Sequence, residues 1–276
     1  MYSKEKIYSV IDYAKKKKQE FEKIKKPYLA ICQPRRDASE LAAQNFVGDR
    51  PALGINNYSY TFLQISGELV DVARNRLAEA AIERGAKYIL FAGEDTVLPN
   101  YAFTHLHALA EANPDAVVSG VYYFKLEGPM IIMQDEHGYR RLANKDADPG
   151  KIIENPALIG IDAMLIPTAI LKDLQEKEPG CPFFCVVNVE DPETPFLGED
   201  EFFLSLLYKN GYRVLVDTNI QCLHMDLATG KYTAHPSVKM DDYICQIEPE
   251  GELVEKDREY IHKRWVDRVP TKQLTA

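Results

Sequence analysis

Four short, almost wholly apolar runs, at residues 28–32, 88–92, 116–120 and 212–216, set the terms on which this chain can fold. Each is too short for a helix with its own core face. Each is also continuous rather than alternating, which is the pattern of a strand buried on both sides. Segments of helical period lie between them. Residues 67–84 carry Leu69, Val72, Leu77 and Ala81 and end near Gly85, and residues 101–112 stop at Asn113-Pro114. Strand, helix, strand, helix, strand is the rhythm of a parallel sheet covered by helices, so the fold class is α/β.

The rest of the chain is read around that frame. Ile7, Val10, Ile11 and Ala14, then Phe21 and Ile24, predict an amphipathic N-terminal helix over 1–26, with Lys15 to Lys18 on a solvated face. Gln33-Pro34-Arg35-Arg36 reads as a polar loop after the first strand. Residues 37–63 hold Gly48, Pro51, Gly54 and Asn56-Asn57 as breakers, which leaves a helix only over 38–45. Further on, 130–133 and 139–142 predict a hairpin around His137-Gly138, 144–150 a polar loop, and 157–167 an apolar segment interrupted by Gly160. Helices are expected over 168–177 and 199–210, and strands over 183–189 and 212–216. No linker, repeat or low-complexity tract divides the chain. A single domain over 27–230 is expected, with a C-terminal extension, 231–276, packed on it through Tyr260, Ile261 and Trp265.

Composition narrows the function classes. A chain of 276 residues, 46% hydrophobic, can bury a sizeable core without disulfides or structural metal. Its 33 Lys and Arg against 42 Asp and Glu give a formal charge of -9, which disfavours nucleic acid as a partner despite Lys263-Arg264, Trp265 and Arg268 near the end. No run approaches the roughly 18 apolar residues of a membrane span, and the first residues lack a signal-type apolar core, so a cytoplasmic protein is expected. The five cysteines are odd in number and sit in apolar stretches, as small buried hydrophobes do. Zinc at Cys181 and Cys185, or at Cys222 with His224, is disfavoured because the tightly paired spacings of structural sites are missing.

Three places carry candidate chemistry. Gly93-Glu94-Asp95 follows a buried strand, where carboxylates reach the crevice in which α/β sheets bind ligands and can hold magnesium or manganese. Gly198-Glu199-Asp200-Glu201 opens a helix; such acids complement the helix dipole, and they can also supply a general base. His224 stands in apolar company, the setting of a satisfied core histidine, but it gains interest beside two acidic sites.

The order of these stretches resembles that of the nucleotide-sugar-dependent glycosyltransferases of the GT-A fold, especially their family-2-like branch. Asp71-Val72-Ala73-Arg74-Asn75-Arg76-Leu77, the strand at 88–92, and Glu94-Asp95-Thr96-Val97-Leu98-Pro99 look like that family's "ARN helix, strand, DxD, V, x, P" core. Gly198-Glu199-Asp200 with Gly211-Tyr212-Arg213-Val214 looks like its "GED, helix, G" segment, and the similarity covers roughly 28–226. The resemblance implies a single GT-A, Rossmann-like domain with a mostly parallel sheet flanked by helices. It also implies a divalent metal, manganese or magnesium, held by Asp95 and His224 against the diphosphate of a sugar donor, with UDP the usual nucleotide.

By the same resemblance, Asp200, with Glu199 beside it, is the base toward a hydroxyl acceptor. Pro34, Arg35, Arg36, Arg74, Glu94 and Asp95 then fall on the donor, and Gly160 and Asp162 in the loop near donor sugar and acceptor. One departure stands out: Gly93 replaces the first carboxylate of the DxD. A degenerate, non-catalytic sugar- or nucleotide-binding module is the first alternative. A nucleotidyltransferase is the second, though the loop after the first strand lacks the glycines such enzymes use to cradle phosphates.

Overall fold

The computed structural model describes residues 28–35, 59–99, 101–124, 128–136, 138–188, 196–226 and 231–238. The helices expected over 1–26 and 38–45, Arg36, and the extension beyond 238 lie outside these residues. Seven strands form the central sheet: β1 (Leu29–Arg35), β2 (Tyr60–Ser66), β3 (Tyr88–Ala92), β4 (Ala116–Val121), β5 (Ile152–Glu154), β6 (Ala163–Pro167) and β7 (Arg213–Gln221). Their order is β5-β7-β4-β6-β3-β1-β2. Five run in one direction, while β5 and β6 run against them. Four helices among the described residues flank the sheet: α1 (Val70–Glu83), α2 (Ala102–Ala112), α3 (Thr168–Lys177) and α4 (Glu199–Lys209). The architecture is mixed α/β and consistent with a GT-A, Rossmann-like domain.

The apolar runs become strands because both faces of the sheet are covered. Alternate residues, Ala30, Cys32, Ile89, Phe91, Val117 and Met164, pack with Leu77 of α1, Leu174 of α3 and Phe203 of α4. Their neighbours, Leu29, Ile31, Leu90, Val118 and Leu165, pack with Phe103 and Leu106 of α2. Each large side chain so buried contributes roughly 1.5–3 kcal/mol.

Several expectations need correction. The polar loop at 33–36 is strand as far as Arg35, and all seven residues of β1 are buried. Beyond the pair Cys32 and Phe91, β1 keeps only β2 as partner, and a proline is tolerated there because Pro34 lies past the ladder with β3. This parting of β1 from β3 opens a crevice. β2 itself falls in the stretch read as mixed; as an exposed edge strand it needs no apolar run. The strand expected over 183–189 is reduced to Val187–Asn188. Phe183 and Phe184 are buried in irregular chain, where the Asn75 side chain accepts from both backbone N–H groups at 2.9 and 3.1 Å and donates to the Phe184 carbonyl at 2.6 Å. One amide side chain thus replaces a strand partner.

The loop at 144–150 contains one turn of 3-10 helix, Asn144–Ala147, with Ala147 buried. The strand expected over 212–216 runs from Arg213 to Gln221. It shifts register against β4 between Asp217 and Gln221, where an added Cβ at Gly120 would lie 2.6 Å from Ile220 Cγ2. The simple parallel rhythm is also broken: β6, from far downstream, inserts antiparallel between β3 and β4. Its first residues therefore lie at the same sheet edge as the last residues of β3.

Candidate active site

A cavity of about 410 Å³ lies at the edge of the sheet where β1 and β3 end. Arg35 enters from β1, Gly93, Glu94 and Asp95 from the turn after β3, Asp162 from just before β6, Arg74 from α1, and Glu199 and Asp200 from the first turn of α4. The sequence-predicted donor, loop and catalytic residues within the described chain, Pro34 and Gly160 included, all line this space. His224 stands behind it.

Arg74 is the hub. Its guanidinium donates to Asp162 Oδ1 at 2.9 Å, Glu199 Oε1 at 2.8 Å and Asp200 Oδ1 at 2.6 Å, with its side chain only 4% exposed. Burial favours the neutral form of Arg74, but Asp200, Asp162 and Glu199 outweigh it and hold the side chain charged. The carboxylates respond in the opposite sense to their own burial. Asp200 is pushed up to about 7, first by desolvation and then by Glu199 and Asp162, with Arg74 drawing it back. Asp162 is also raised by burial, and further by Asp95, while Arg74 lowers it.

The helix that presents Glu199 and Asp200 is fixed at its start by Glu201, whose carboxylate accepts from the Gly198 N–H at 3.0 Å. The acids therefore sit where helix amides and dipole favour negative charge. Among the described residues lining the cavity, six carboxylates (Glu68, Glu94, Asp95, Asp162, Glu199 and Asp200) face two guanidiniums. Arg35 lies 3.8 Å from Glu94.

His224 reaches the acidic turn through a small side sheet. Leu223–Asp226 pairs antiparallel with Thr96–Val97 on one side and Lys231–Thr233 on the other, so His224 lies opposite Thr96. Its Nε2 lies 3.2 Å from Asp95 Oδ2 and 3.1 Å from the Tyr122 hydroxyl, and the residue is 4% exposed. Among the described residues Nδ1 has no hydrogen-bond partner. If Nε2 donates to Asp95, a bare nitrogen is left buried; the other neutral tautomer sets a lone pair against a carboxylate, which a bridging cation would relieve. No three His, Cys, Asp or Glu side chains among the described residues are arranged to hold a metal ion by themselves. Cys222 is buried, and Cys181 and Cys185 are partly exposed free thiols.

Tyr122 was not legible in the sequence as a site residue. It follows β4, lines the cavity, and its ring lies over the loop at Gly160, where an added Cβ would meet the ring at 2.9 Å. Gly160 therefore admits the tyrosine. Glu68, Leu69, Val70 and Met130 are the other lining residues that no motif announced.

No protein-family model matches the chain, and no curated protein does. Among solved structures, A197 from STIV is similar with a TM-score of 0.51 and 18% identity, over 81% of this chain and 99% of that one. GalNAc-T7, solved with UDP, GalNAc and Mn2+, aligns with a TM-score of 0.45 and 11% identity over 72% of this chain and 43% of its own. The first similarity is one of fold. Among the described residues no helix is long and apolar enough to cross a membrane.

Proposed function

We propose that this chain is a metal-dependent glycosyltransferase that moves a sugar from a nucleoside diphosphate to a hydroxyl acceptor with inversion. The observation that carries the reading is the meeting, in one cavity, of a buried, Arg74-held carboxylate at Asp200 with Asp95, which His224 backs from behind the cavity at 3.2 Å. A lining in which, among the described residues, carboxylates outnumber guanidiniums favours a cation between it and a diphosphate. Carboxylate oxygen suits manganese or magnesium, ions that complete their shell with substrate phosphates and water rather than a closed protein cage. When bound, such an ion would neutralise charge developing on the departing diphosphate.

The chain's own residues then have distinct tasks. Asp200 accepts the proton of the acceptor hydroxyl as that oxygen bonds to the anomeric carbon. The bond from that carbon to the diphosphate breaks, its electron pair leaving with the phosphate oxygen. Arg74 orients Asp200 and Glu199 and keeps part of their charge in place, while Arg35 and Glu94 flank the donor end of the cavity. A carboxylate poised near neutrality is well matched to this proton transfer.

Thermal unfolding with a panel of nucleoside diphosphates, with and without manganese, tests the reading. A ligand at 100 times its dissociation constant stabilises by about 2.7 kcal/mol, a readily measured shift. One nucleotide should stabilise the wild type only with manganese, and Asp95→Ala should lose the effect. Stabilisation that is indifferent to metal and to Asp95 would instead favour a binding module without metal chemistry.

A further inference from the structure

Among the described residues that line the cavity, Tyr122 carries the one hydroxyl, and none carries an amide side chain. The carboxylates of that lining accept hydrogen bonds when ionised, and the guanidinium of Arg74 is already engaged by three of them. Tyr122 is held in place from three directions. Its backbone carbonyl accepts from the Met130 N–H at 2.7 Å. A Cβ built on Gly160 would lie 2.9 Å from its Cδ1, so the ring rests against bare backbone. On the side of His224, the two ring centroids are 4.8 Å apart.

His224 decides where the hydroxyl proton is spent. Its Nε2 lies 3.1 Å from the Tyr122 oxygen and 3.2 Å from Asp95 Oδ2. A neutral ring protonated at Nδ1 would bury an N–H that has no acceptor among the described residues, and would turn its Nε2 lone pair toward a carboxylate. Protonated at Nε2, the ring donates to Asp95, and the tyrosine proton is not needed by the histidine. A phenol keeps that proton at neutral pH, and burial, then the charges of Asp162, Asp95 and Asp200, hold it there more firmly. A donor is therefore left on a surface of acceptors.

We propose that Tyr122 is a sugar-contacting residue, whose hydroxyl donates to a hydroxyl of the donor sugar, and that Gly160 is a glycine because the ring making this contact fills the space of its side chain. This rests on the glycosyltransferase reading above and names a substrate contact within it. A sugar hydroxyl that donates to a carboxylate still has lone pairs to satisfy, and a neutral O–H meets them without adding charge. The rival account makes Tyr122 only a partner of His224.

Calorimetric titration of the full chain with manganese present separates the two. UDP is compared with UDP-glucose, UDP-galactose and UDP-N-acetylglucosamine, and GDP with GDP-mannose. For at least one pair the wild type should bind the sugar conjugate more tightly than the diphosphate. Tyr122→Phe should reduce that preference by about fivefold or more, the scale of one hydrogen bond. Gly160→Ala keeps the hydroxyl but displaces the ring, and it should reduce the preference too; it carries the test where Tyr122→Phe folds poorly by circular dichroism. Equal weakening of diphosphate and conjugate in the variants is what a mere partner of His224 predicts. That result, or a wild type without preference for any conjugate, would overturn this assignment and leave the glycosyltransferase reading standing. A wild-type chain that binds none of these ligands would overturn both.

Discussion

The two edges of the central sheet both gather ionisable and aromatic side chains, but only one of them balances its charge. Where β1 and β3 begin, Lys87 donates to Glu111 at 2.7 Å and to the Tyr28 hydroxyl at 3.3 Å, Tyr88 donates to the same carboxylate, and Tyr28 shares a 2.7 Å hydrogen bond with His107. One cation meets one anion, with the Lys87 and Glu111 side chains 54% and 46% exposed. Where the same strands end, Arg74 faces three carboxylates from inside the protein. Among the described residues, the first cluster sets its lysine against a single carboxylate. The second, among the same residues, sets one guanidinium against three carboxylates, and the two of these whose pKa is raised are pushed toward their neutral form by burial.

The hardest way to break this comparison is at Arg74. Arg74→Ala strands Asp162, Glu199 and Asp200 without their cation, and loss of one partner from a buried ion-pair set costs about 3–5 kcal/mol. The unfolding temperature should fall by roughly 10 °C at neutral pH. The deficit should shrink on acidification, because protonated carboxylates no longer need the guanidinium. Arg74→Lys should recover only part of the loss, since an ammonium cannot offer the planar fork that reaches three acceptors.

Asp200→Asn comes next, and it tests chemistry. Transfer should fall by about 10²–10⁴-fold with donor binding retained, and wild-type turnover should rise with pH through an inflection near 7. Near-normal transfer in this variant would sink the assignment of the base. Stability carries the same signature with a definite sign. The Asp200 pKa is about 7 in the folded state, above the roughly 3.9 of an unfolded aspartate, so the folded protein binds more protons in between. Its contribution is therefore present in acid and is lost as pH rises from about 4 to about 7. Denaturant unfolding of Asp200→Asn should lack that slope.

The smallest effect belongs to the balanced edge, and its pH dependence has the reverse sign. Hydrogen bonds from Lys87 and Tyr88 hold Glu111 down to about 2, so its contribution is lost as pH falls from the ordinary glutamate range toward 2. Glu111→Gln should cost less than about 1 kcal/mol at neutral pH, as exposed pairs do, flatten the acid limb of the stability curve, and leave transfer unchanged.

The site was partly legible before any coordinates. Glu94, Asp95, Glu199 and Asp200 stand out because acids directly after a buried strand, or in a first helical turn, are placed by local rules of sheet edge and helix dipole. Arg74 was singled out as a phosphate contact, yet its guanidinium is engaged by three acids, and nothing in the period of α1 tells a buried arginine which charges it will meet. Tyr122 and Glu68 gave no signal, since neither belongs to a spacing that local chemistry explains. Phe183 and Phe184 suggested a strand for a sound reason, but a side-chain amide from Asn75 took the role of the neighbouring backbone.

What the sequence determined by itself is therefore the set of elements whose cause is local. Continuous apolar runs made β3, β4 and most of β7, helical period made α1 to α4, and the turn after β3 had to carry its acids at a sheet edge. What only the tertiary structure decided is which elements became neighbours. The antiparallel insertion of β6, the edge strand β2, and the side sheet that carries His224 to Asp95 join residues far apart in the chain, through pairing that no local period records. The glycine at 93 shows the difference most directly: in the sequence it is a missing carboxylate, and in space it is the gap that the carboxylate of Asp162 occupies.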